Sequence, residues 1–361
     1  MAEREAGGEE DSLTVAEAQL FEARAGLHLY LGQLSEAEEA LEHNRSGVSQ
    51  LVKCLSILEK LAPPDLEEGI QKDVSSMDEG GQSLRSAVKD TRRQLCGAHC
   101  SIAELYLTDL CYDPEAEAHC ETSLKSALAL DDGDGPPDSM QGMANLCLSQ
   151  GRGTEAVRYI LDAYSRIKVG CEAMADLVGL GKEGLDGNAD DGDDKAKELV
   201  EVDAASSLPC FEFRCQTAKI LLECAAALGE AASGEEPSKE IGQSSFCSEA
   251  AIQVLGSLLA ENDEVVEVWY LLGCAFASLR PPNTDGAQHH WETALEMLLK
   301  VKESMDQEVG ASSEMGEDDE LGGELKEIAG QIEEVRDKLA SLEKCMEGQV
   351  QTLDVSMEAR T

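Results

Sequence analysis

The sequence is short of positive charge. It holds 29 Lys and Arg against 73 Asp and Glu, a formal charge of −44 at pH 7. Nucleic-acid affinity comes largely from Lys and Arg neutralising phosphates, so no direct nucleic-acid partner is expected. An anionic membrane would repel such a surface, so no membrane partner is expected either. Aromatic residues are scarce, at 4%. That is too few for a platform that stacks single-stranded bases. Long apolar runs are missing as well. The most apolar stretch, Ile220–Leu228, is short and contains Glu223, whereas a transmembrane helix needs about 20 apolar residues. The first residues, Met1–Asp11, have no cationic start and no apolar core, which predicts no secretory signal.

Hydrophobic residues nevertheless make up 42% of the 361 residues. That content excludes wholesale disorder and implies a sizeable core. The length fits one elongated domain or two compact ones. The 13 cysteines are odd in number and irregularly spaced. Without a secretory signal they read as reduced thiols packed as small apolar groups. The expected location is cytoplasm and nucleus.

Periodicity is helical wherever it is strong. Val48, Leu51, Val52, Leu55 and Leu58 mark one helix face. No convincing period-two strand occurs. Gly/Asp/Pro-rich punctuation at 73–81, 131–137, 184–194, 233–243 and 281–286 reads as turns or loops. Internal repeats stand out against this background. Trp269, Leu272, Gly273 and Phe276 form W-x2-L-G-x2-F, and Ala287, Trp291 and Ala294 follow as A-x3-W-x2-A. This is a tetratricopeptide helix–turn–helix signature. A second unit has Met140, Met143, Ala144, Cys147, then Ala156, Ile160, Ala163. A third has Ile102, Ala103, Tyr106, then Ala116 and Cys120. A fourth has Phe21, Ala25, Gly32, Ala37 and Leu41, and a degenerate fifth joins 213–228 to 250–259. Small residues let two helices approach closely, and stacked repeats bury what one repeat cannot. The predicted fold is all-α, an α-solenoid of stacked tetratricopeptide (TPR) repeats with acidic disordered loops and tail.

The expected organisation is a disordered acidic N-terminus over 1–16, a solenoid over 17–300 and an acidic tail over 301–361. Acidic linkers are expected near 184–207 and 230–245. Residues 302–361 hold 17 acidic and 6 basic side chains, and disorder is expected over 314–320. Leu325, Ile328, Ile332, Val335, Leu339 and Leu342 predict an amphipathic helix near 321–346, which suits a cap on the solenoid end.

Sites of chemistry are weak. Cys96, His99, Cys100, Cys111, His119 and Cys120 lack the paired spacing of a zinc framework and fall in repeat positions. Asp186–Asp194 begins like a calcium loop, but its sixth and twelfth positions are Asp191 and Lys197 rather than Gly and Glu. His289 and His290 have no nucleophile or carboxylate partner in the pattern. No phosphate-binding G-x4-G-K-[ST] and no G-x-S-x-G is present. No enzyme activity, metal or cofactor is expected. The charge of −44 far exceeds the roughly 2–8 that keeps a small domain soluble. It points to a strongly basic partner, because complementary charge speeds encounter and suppresses wrong partners.

Two blocks carry a family resemblance. They are Ile102–Leu110 with Glu117–Glu121, and Leu259–Gly273. Over roughly Phe21 to Lys300 the chain resembles the eukaryotic tetratricopeptide chaperones dedicated to the large-subunit ribosomal protein L-four. Cys274 stands where that family often has Trp. The resemblance implies a binding protein that captures this newly made basic protein by its long internal loop, shields it and delivers it to nuclear pre-large-subunit particles. Nuclear import factors would be further partners. The first helix of each pair lines the concave face in such arrays. Its inward positions here include Glu22, Glu104, Asp138, Asn145 and Glu267, with Asp109 at the following turn. Two other binding roles compete. A clamp for heat-shock chaperone tails needs Lys and Arg where Glu22 and Glu104 stand. A histone chaperone fits the charge but not the two blocks.

Overall fold

A computed structural model describes residues 14–62, 79–180, 208–231, 237–312 and 318–358. The described residues form eleven helices and no strand. They are α1 (Val15–Leu34), α2 (Ala37–Leu61), α3 (Glu79–Leu107), α4 (Ala116–Leu130), α5 (Asp138–Ser149), α6 (Gly153–Leu177), α7 (Phe211–Ala231), α8 (Pro237–Glu261), α9 (Val266–Ser278), α10 (Thr284–Ser312) and α11 (Asp318–Glu358). Two compact units divide the chain, Met1–Leu146 and Cys147–Thr361.

In the first unit α1 starts at a capping box. Thr14 Oγ1 accepts from the Glu17 amide, and the Glu17 carboxylate accepts from the Thr14 amide. The chain then reverses at Ser35 and Glu36, and α2 runs back along α1. Close approach needs small residues. A Cβ on Gly32 would stand 2.9 Å from Asn44 Nδ2, and one on Gly47 would stand 2.7 Å from Leu29 Cδ2. Two apolar clusters fill the space between α1, α2 and α3. One is Ala25, Leu51, Leu55, Leu95 and Ala98. The other is Ala18, Cys54, Ile57 and Leu58. Val52, expected on the same face, is instead exposed at the edge of that stripe. The third repeat reads as expected, with Ile102, Ala103, Tyr106, Ala116 and Cys120 all buried.

The second unit repeats the principle. Helix α7 pairs with α8 and α9 with α10, and α6 lies against α8. At the α9–α10 crossing a Cβ on Gly273 would fall 2.3 Å from Trp291 Cδ1. Trp291 is buried and donates its indole N–H to the Tyr270 carbonyl at 3.2 Å. The Gly and Trp of the sequence signature are therefore two halves of one contact. Helix α11 packs on α10, burying Ile332 and Val335 and leaving its other flanks to water. Tyr270 also hydrogen-bonds the Glu334 carboxylate of α11. The described residues are all-α, and within each unit neighbouring helices pack as in a helical repeat.

Several boundaries differ from the sequence reading. Residues 237–245, expected in a linker, open α8. Pro237 suits a first helical position, and Ser244 satisfies its hydroxyl on the Ala225 carbonyl of α7 at 2.8 Å. Val15 and Ala16 belong to α1 rather than to a disordered start, α10 continues to Ser312, and Asp318–Glu320 are helical. Residues 230–231 of the same expected linker close α7, and the expectations for 1–13, 184–207, 232–236 and 313–317 fall outside the described residues.

Overpacking a tight core site costs typically 1–3 kcal/mol. Gly273→Ala is therefore expected to destabilise the chain by about 2 kcal/mol in urea unfolding. Gly97→Ala, where a Cβ meets nothing within 4 Å, is the control and leaves the midpoint unchanged or raised.

Candidate protein-binding surface

The six expected partner-binding residues fall into different environments. In the first unit Glu104 is exposed on α3 and Asp138 opens α5. Both carboxylates act on the same thiol, Cys100. Asp138 also acts on Cys96, together with Asp131. The residues on α3 and α5 thus gather carboxylates around a pair of cysteines one turn apart. Cys96 and Cys100 share a hydrogen bond that lowers the Cys96 pKa and raises that of Cys100. Asp138 as a residue is exposed, yet neighbouring groups desolvate its carboxyl and raise its pKa.

Glu22 is half-buried and accepts a hydrogen bond from Gln94 Nε2 at 3.0 Å, tying α1 to α3. Asp109 is exposed, but its carboxylate receives the Ala37 amide at 3.4 Å. That amide opens α2, where a negative charge complements the helix dipole. Asn145 is half-buried on α5. Glu267, in the second unit, is already engaged. Lys219 Nζ lies 2.7 Å from its carboxylate, and Cys215 Sγ lies 3.6 Å away. The ion pair joins α7 to α9 and neutralises a charge that the sequence reading offered to a partner. Lys219 was the missed residue. Its position on the first helix of the degenerate fifth repeat was the signal available.

Internal pairing accounts for many bases. Arg92 meets Glu59, Lys89 meets Asp132 and Asp134, Arg152 meets Glu155 and Lys302 meets Asp306. Arg214 is buried, donates to the Pro209 carbonyl and Ser257 Oγ, and pairs with Glu261. Bases are thus spent locally, while the carboxylates outnumber them 73 to 29.

The remaining candidates are structural. Among the described residues no group of three or more His, Cys, Asp or Glu is placed to hold a metal ion. His290 is buried, with its ring centroid 5.0 Å from Phe276 and 5.6 Å from Trp269, and its Nδ1 lies 2.7 Å from the Gly286 carbonyl. His289 stays exposed beside it, 5.1 Å between rings.

No protein-family model matches the chain. A curated relative from Schizosaccharomyces pombe (strain 972 / ATCC 24843) carries the name "Probable assembly chaperone of rpl4" and is 26% identical over 231 residues. The match covers 64% of this chain and 53% of the relative. The chain therefore spans about half the length of that protein.

Burial lowers the His290 pKa below its usual 6.5. The folded state then favours neutral imidazole. Stability is complete above pH 6.5 and falls as pH drops toward the lowered folded value, because only the unfolded chain takes up the proton. One such group contributes at most about 1.4 kcal/mol per pH unit. Thermal melts between pH 7 and 5 are expected to show this loss, with a shallower slope in His290→Gln.

Proposed function

We propose that this chain is a dedicated chaperone of the basic large-subunit ribosomal protein that its relative's name specifies. The observation that carries the reading is the 231-residue similarity to that relative. The acidic surplus supports it independently. A free ribosomal protein bears cationic segments that rRNA neutralises only after assembly. Carboxylates would occupy those cations meanwhile, and complementary charge would speed capture. The all-helical fold fits binding rather than catalysis. In this reading the repeats are of tetratricopeptide type, and the client's long internal loop lies along their first helices. Capture begins in the cytoplasm and release follows in the nucleus, where rRNA phosphates compete for the same cations. Import factors would meet the complex on the way.

The carboxylates assigned to the client are Glu104 and Asp138, with Glu22 and Asn145 flanking them on α1 and α5. Asp109, Glu267 and Glu22 contribute less, because each already holds a structural partner.

Affinity capture from cells with the full chain as bait is expected to recover the ribosomal protein. Recovery should fall as salt rises, since the Debye length shrinks from about 8 Å at physiological salt to about 3 Å at 1 M. Glu104→Lys with Asp138→Asn is expected to weaken capture roughly tenfold without loss of helicity, as expected for paired charges at an interface rim. Recovery of histones or heat-shock chaperones without any ribosomal protein would sink the proposal.

A further inference from the structure

Helix α1 has two apolar faces. Ala18, Ala25 and Gly32 recur every seven residues and face the core. Leu20, Leu27 and Leu34 recur at the same spacing, displaced by two residues, about 200° around the helix. They are 51%, 66% and 67% exposed. Tyr30 at 60% and Leu31 at 43% flank them, and Ala16 and Ala23 lie on the same side by register. A helix that is hydrophobic all round is normally buried. Terminal repeats of a stacked array need a polar outer face. Helix α11 has one, with glutamates around its buried Ile332 and Val335. Helix α1 does not.

The charge pattern selects the occupant. The sequence has 73 acidic residues, yet along α1 none falls on this face. The two acids of α1, Glu17 and Glu22, point elsewhere: Glu17 closes the capping box and Glu22 meets Gln94. A basic client is steered to carboxylates, so nothing here is matched to it. Two copies of a strongly anionic chain repel one another except where charge is absent.

We propose that this face of α1 pairs with the same face of a second copy, in an antiparallel two-fold arrangement centred on Leu27. Such an interface must be self-complementary. The register is: residues whose numbers sum to 54 meet, so Leu27 meets Leu27, Leu20 meets Leu34, and Leu31 meets Ala23. Tyr30 meets Arg24, in a pairing that a guanidinium and an aromatic face favour. The dimer presents two copies of the carboxylate-bearing surfaces.

Sedimentation equilibrium of the full chain tests this without any client. The expected mass at micromolar concentration is twice the 38.7 kDa of the chain. Leu27→Glu sets two carboxylates together at the centre and should give monomer with helicity unchanged, and with a melting temperature that no longer rises with protein concentration. Leu27→Lys should be monomeric alone, and an equimolar mixture with Leu27→Glu should return to the dimer mass. A monomeric wild type, a Leu27→Glu dimer, or a mixture that stays monomeric would each overturn the assignment. Failure of client capture would leave it intact, since the two measurements share no component.

Discussion

The fold depends on one steric constraint: two helices can cross closely only where one of them withdraws its side chain. At the α9–α10 crossing Gly273 makes room for the indole of Trp291. At the α1–α2 crossing Gly47 makes room for Leu29, and on α5 Gly142 does so for Leu124. Each large side chain then fills the space that its small partner leaves, which brings the interior to the density of a crystal. Stacking follows, because a helix pair joined in this way still has an apolar flank to bury.

The parts legible in the sequence were those governed by side-chain size. Gly273 and Trp291 are extremes of volume, and each fills or leaves the space that the other needs. Ala103, Cys120 and Leu272 were likewise legible, because a buried slot leaves a narrow choice of residue. Position on a helix edge was less so. Val52 shares the period of Leu51 and Leu55 but lies where the stripe turns toward water. Composition misled over 237–245, where Ser244 donates to the Ala225 carbonyl and Ser245 to the Glu249 carboxylate instead of shaping a loop.

The candidate surface was legible by sign and not by availability. A sequence shows that Glu267 is acidic, but not that Lys219, on another helix, holds it at 2.7 Å. It shows Asp109, but not the amide of Ala37 that takes up its carboxylate. Such partners lie tens of residues away, and only the packing of helices brings them together. Glu104 and Asp138 differ, since the neighbour they share is the thiol of Cys100.

The buried thiols have a chemical consequence. Burial raises the pKa of Cys54, Cys120, Cys171, Cys215, Cys224, Cys247 and Cys274. The thiolate, not the thiol, is the nucleophile and the species that oxidants attack. These side chains are thus kept in their unreactive form by the same packing that they complete. Cys96 differs, since its hydrogen bond to Cys100 lowers its pKa. An electrophile meeting the folded chain would find these seven sulfurs held as thiols, whereas Cys111 and Cys210 stand exposed at the surface.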